Sequence, residues 1–220
     1  MLSRERGTKV LNLIKEKMLE NIAENINKYI IMIGLLIIGC IVGVVIINSS
    51  NDDKRANITE YINKYKDTLT NNKENINYNE SIKNEIRNGV IETVILWISG
   101  MLIFGNIVAY IFIFFRGMCL GYTIASAVGT FGAWKGSIYS VSGTLIHNII
   151  IIPVIIYLSV LTINMSKQIY IDKKKDDIRF EITRYTIKYI ISFFILILAF
   201  VIKIYISLNL LIRCLPLITN

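Results

Sequence analysis

Two long apolar runs without a charged residue, Ile30 to Ile47 and Val94 to Phe115, stand out along the chain, and the charged residues gather in the segments between such runs. A helix rises about 1.5 Å per residue, so the first run covers roughly 27 Å, close to the ~30 Å hydrocarbon core of a bilayer. The pattern predicts spans at 30–47, 94–115, 118–134, 138–165 and 189–212. The third is the weakest, short and glycine-rich, and a re-entrant hairpin is the alternative for it. Ahead of the first span, residues 1–29 carry Ile14, Met18, Ile22 and Ile26 at helical spacing, which predicts an amphipathic cytoplasmic helix. The hydrophilic stretch 48–93 also has helical periodicity. Ile58, Tyr61, Ile62, Tyr65 and Leu69 form one stripe, and Ile82, Ile86 and Val90 form a second that runs into the next span. The expected fold is all-α: a polytopic bundle of about five transmembrane helices in a single membrane domain, with a helical external loop.

Composition and charge add orientation. The chain is 54% hydrophobic with 2 prolines, far from a soluble domain, and its net charge is +8. The loop 166–188, with 7 basic and 4 acidic residues including Lys173, Lys174 and Lys175, reads as cytoplasmic. With the N-terminal segment and Arg116 assigned to the same side, the N-terminus is expected inside and the C-terminus outside. Charges divided between two membrane faces do not form a nucleic-acid footprint, so no nucleic-acid partner is expected. Cys40, Cys119 and Cys214 lie in or beside apolar runs and read as small packing residues. With one histidine in the chain, no metal site and no cofactor are expected.

The candidates for chemistry are few. Ser142 and His147 share the fourth span, but five residues on a helix rotate about 500°, which leaves the two side chains roughly 140° apart. No catalytic residue, and no enzyme, is expected on that ground. His147 with Asn148 marks either a solute path or an interhelical hydrogen bond, and Pro153 predicts a kink. Lys203 in the fifth span reads as a snorkelling cation. A small-solute channel or transporter, with Asn106 and His147 in the membrane, is the alternative function. Gly117, Gly121 and Trp134 read as one helix-packing group. Tyr61, Tyr65 and Ile82 read as a docking surface for a partner, since aromatics at helical spacing suit interfaces.

Arg116 and Gly117, then Gly121 with Tyr122 and Thr123, then Trp134, Lys135 and Gly136, and finally His147, Asn148 and Pro153 occur in an order that resembles the core of the stage II sporulation protein M (SpoIIM) family. Ile146 departs from it, where relatives often carry proline. The resemblance implies a membrane protein of the sporulation septum, in the mother-cell membrane, needed when that membrane migrates around the forespore. It implies a scaffold without hydrolytic activity that anchors and localises two peptidoglycan-degrading enzymes, the sporulation proteins D and P. Membrane lipid is the other expected partner, and homo-oligomerisation is left open.

Overall fold

In a computed structural model of the chain, the described residues are 19–71, 78–170, 178–202, 205–206, 209–211 and 213–214. The expected amphipathic periodicity before residue 19, the lysines at 173–175 and Lys203 lie outside them. The helices are α1 (Ile26–Asn48), α2 (Asp52–Asn71), α3 (Tyr78–Ser99), α4 (Gly105–Phe131), α5 (Ala133–Ser140), α6 (Ile146–Tyr170) and α7 (Ile178–Ile202), with a π-helical turn, Val141–Leu145, joining α5 to α6.

Among the described residues, four helices are long and apolar enough to cross a membrane: α1, α4, most of α6 and α7. A fifth, α3, runs beside them with an apolar second half and a polar first half. Its Gly89 lies against Phe200 and its end, at Gly100, against Tyr185, so α3 and α7 are antiparallel. Gly117 and Gly121 of α4 meet Leu36 and Cys40 of α1 in that order, so α1 and α4 are parallel. The start of α1 touches the end of α6 through Lys28 and Asn164. Hence α1, α4 and α7 run one way and α3 and α6 the other. The molecule is an all-helical polytopic membrane bundle.

The segment boundaries differ from the sequence reading at its middle. Residues 94–115 and 118–134, expected as two spans parted at Arg116 and Gly117, fall largely on the one continuous helix α4, and the break comes earlier, at residues 100–104. Two local facts explain this. Arg116 is neutralised by a carboxylate from α3, and Gly117 serves a close helix contact instead of a turn. At 100–104 the backbone leaves the helix beside packed neighbours, and side chains of α6 satisfy its carbonyls. Ser166 donates to Leu102 O (2.8 Å), and the Tyr170 hydroxyl donates to Met101 O (2.9 Å). The last α3 carbonyls are treated likewise. Thr162 Oγ1 donates to Leu96 O (3.1 Å) and Tyr185 Oη to Trp97 O (3.0 Å).

The main core lies among α1, α3, α4, α6 and α7, where Met32, Leu96, Ile113, Ile151, Leu158 and Leu196 are almost fully enclosed. The 48–93 stretch is helical on both sides of residues 72–77, and α2 rests on the far end of α4. Thr130 approaches Thr59 (3.5 Å), and Lys66 Nζ stands 5.7 Å from the Phe131 ring centre. The chain reverses after α4 at Gly132, whose φ of +80° suits glycine alone. Pro153 lies inside α6. The irregularity nearest to it among the described residues is the π turn, where the Ile146 N–H reaches back five residues to Val141 O.

Candidate functional site

Three places in the bundle combine polar chemistry with defined geometry. The first is the α1–α4 seam. A Cβ on Gly121 would strike the Cys40 carbonyl oxygen and one on Gly117 that of Leu36, while Gly39 and Gly43 of α1 press in return on the backbone at Phe114 and Met118. Four glycines, two per helix at a spacing of four, let the parallel backbones touch. Trp134, grouped with Gly117 and Gly121 in the sequence reading, stands apart: it opens α5 just beyond the Gly132 reversal and is 78% exposed. An exposed indole at the end of a span suits the aromatic belt at a membrane interface. Gly136 belongs to a different contact, where a Cβ would meet the α4 backbone at Ala127 and Val128. Gly39 and Gly43 escaped the sequence reading although their spacing in span one carried the same signal.

The second place is an ion pair inside the bundle. Arg116 Nη1 lies 3.0 and 3.1 Å from the two carboxylate oxygens of Glu92, with the side chains 22% and 33% exposed. Arg116 adjoins Gly117, which sits at the level of Leu36. That level is roughly 12 Å along α1 from Lys28 and roughly 18 Å from Asn48, so the pair lies within the thickness of a hydrocarbon core. The sequence reading had placed Arg116 at a cytoplasmic boundary. Glu92 was not singled out at all, because it stands at the polar edge of a run and its partner is 24 residues away.

The third place is a cavity of about 950 Å³ at the far end, roofed by α2 and walled by α3, α4 and the π turn. Tyr61 and Tyr65 line it with Asn84, Glu85 and Asn88 of α3 and with Tyr139. Tyr61 is 74% exposed and Tyr65 42%. The phenol of Tyr65 is nevertheless held above its ordinary pKa, by loss of water around it and then by Tyr61 and Glu85. Ile82 lies on α3, with its side chain outside the described set. Asn88, one turn before Glu92, puts the cavity roughly 6 Å along α3 from the ion pair.

The remaining candidates sit elsewhere. The Ser142 hydroxyl donates back to Ile138 O (2.8 Å), in the manner of helical serines. Asn148 is buried in the first turn of α6 and donates to Thr144 O (2.8 Å). His147 lies on α6, and its side chain is outside the described set. Among the described residues no three His, Cys, Asp or Glu side chains converge as a metal site would require.

A helical bundle with long apolar spans, a glycine seam and an internal ion pair defines a multi-pass membrane protein. The chain belongs to the stage II sporulation protein M family, whose sequence profile matches residues 32–208. It is therefore a sporulation-related membrane protein. No curated protein and no solved structure is significantly similar to it.

Proposed function

We propose that this protein is a non-enzymatic scaffold of the sporulation septum that anchors and positions peptidoglycan-degrading enzymes, the sporulation proteins D and P, while one membrane engulfs the other. Family membership supports the reading. The observation that carries it is α2: a 20-residue helix off the end of the bundle, held to α4 near Thr59 and leaving Tyr61 exposed at the mouth of the cavity beneath it. Exposed aromatics on an ordered helix suit protein interfaces. The arrangement fits a partner outside the membrane if the end carrying Lys28 and Lys167 faces the cytoplasm, as the positive-inside tendency favours. The N-terminus is then inside and α2 outside.

Deletion of the protein in sporulating cells is expected to stall the septal membrane and to scatter fluorescently tagged hydrolases, both visible by microscopy. Unchanged migration and unchanged hydrolase positions would remove the proposal. Tyr61→Glu is expected to leave the amount of protein in the membrane within about twofold, since Tyr61 is mostly exposed and exposed changes usually cost under about 0.5 kcal/mol. Hydrolase recruitment should fall severalfold. Full recruitment by that variant would exclude α2 as the docking face.

A small-solute pathway is a second reading, favoured by the cavity that ends one turn of α3 from an intramembrane carboxylate.

A further inference from the structure

At the end of the bundle opposite α2, a second cavity of about 380 Å³ opens between α1, α6 and α7. Its lining is polar, unlike the core above it. Among the described residues, four cations reach it, Lys28, Lys167, Arg184 and Lys188, against two carboxylates, Glu24 and Glu181. Glu181 is engaged by Arg184 at 3.2 Å. Lys28 is held by neutral oxygens, Asn25 Oδ1 at 2.8 Å and Asn164 Oδ1. Among the described residues neither Lys28 nor Lys167 forms an ion pair. The described lining thus gathers an excess of two positive charges together with amide groups on Asn21, Asn25 and Gln168.

Its depth in the membrane identifies the chemistry that would match it. Lys28 lies twenty residues before Asn48 on one continuous helix, apolar between them, roughly 30 Å, which is one hydrocarbon thickness. If Asn48 marks one boundary, Lys28 marks the other, at the depth of lipid phosphates. Lys167 follows the apolar length of α6 in the same way. Basic cavities between transmembrane helices at this depth bind anionic headgroups, and two neighbouring ammonium groups without a carboxylate partner are stabilised by an anion placed between them.

We infer that the cleft formed by Lys28, Lys167, Arg184 and the surrounding amides binds a phosphate group, and that its source is the headgroup of an anionic phospholipid. A lipid bound here would join α1 to α6 and α7 at the membrane surface, where the short connection between α6 and α7 begins. The inference is independent of the scaffold role.

The test uses the purified full chain in a neutral detergent, with thermal unfolding followed as phosphatidylglycerol, phosphatidylcholine or inorganic phosphate is added. Phosphatidylglycerol should raise the unfolding temperature by about 4 °C more than phosphatidylcholine, the shift expected of a ligand near saturation. Lys28→Gln with Lys167→Gln should abolish that difference. Lys54→Gln, on the exposed face of α2, should keep it. Because Lys28 also bonds to Asn164, Lys167→Gln alone is the safer variant, and it should lose at least half of the difference. Native mass spectrometry should show fewer retained phosphatidylglycerol molecules on the same variants. An undiminished difference in Lys167→Gln and in the double variant would overturn the site. Inorganic phosphate reproducing the whole shift would overturn the lipid as its source.

Discussion

Gly121→Leu is expected to remove most of the protein from the membrane, leaving less than about a tenth of the normal amount on an immunoblot of membrane fractions. The reason is steric and local. The added side chain would begin inside the Cys40 carbonyl; a Cβ is fixed by its own backbone and the group it meets is helix backbone, so no rotamer relieves the clash. Separating α1 from α4 breaks the most extensive helix contact in the bundle. It also removes Gly39 and Gly43 from the α4 backbone, and such overpacking costs about 1–3 kcal/mol or more. Gly129→Leu is the matched control, because a Cβ at Gly129 meets nothing within 4 Å. Normal levels of the Gly121 variant would show that the seam is dispensable.

The second large effect is expected at the ion pair. Arg116→Leu strands the Glu92 carboxylate within the hydrocarbon thickness; breaking one partner of a fully buried pair costs about 3–5 kcal/mol, an upper bound for this partly exposed pair. Steady-state protein should fall at least severalfold. Removing both charges, as Glu92→Gln with Arg116→Gln, should restore most of it, since neutral amides retain a hydrogen bond without a buried charge. This comparison also separates the two functional readings. A double variant that accumulates normally and supports engulfment makes the pair a structural clasp. A double variant that accumulates normally but fails in sporulation makes Glu92 and Arg116 part of a working pathway.

The difference between Arg116 as a boundary and Arg116 as a clasp shows what a sequence does and does not disclose in this chain. Apolar length marked the spans, and the stripes of Ile58, Tyr61 and Ile62 and of Ile86 and Val90 marked α2 and α3, because those signals are local and periodic. The arrest expected at Arg116 came from the same local rule, under which a charge ends a span. Only a carboxylate brought in from another helix suspends that rule, and a window of residues contains no record of which helices will be neighbours. Trp134 illustrates the converse. It was expected to share the helix packing of Gly117 and Gly121, but the reversal at Gly132 turns it to the surface. The clustering of Lys28, Lys167 and Arg184 was equally hidden, since it joins three helices distant in the chain.

The polar first half of α3 carries a consequence for how the protein is made. As the ribosome delivers it, α1 can enter the bilayer alone, but α3 cannot: Glu92 and its polar flank oppose partitioning until a counter-charge arrives. That charge is on the next helix, across the tight reversal at 100–104, whose exposed residues Leu102, Ile103 and Phe104 are themselves apolar. Insertion should therefore proceed with α3 and α4 as a paired hairpin, while α1 waits in the lipid for a seam partner synthesised some seventy residues later. A chain truncated between Ser99 and Arg116 would then leave α3 outside the bilayer altogether, and biogenesis becomes a two-step commitment set by one carboxylate.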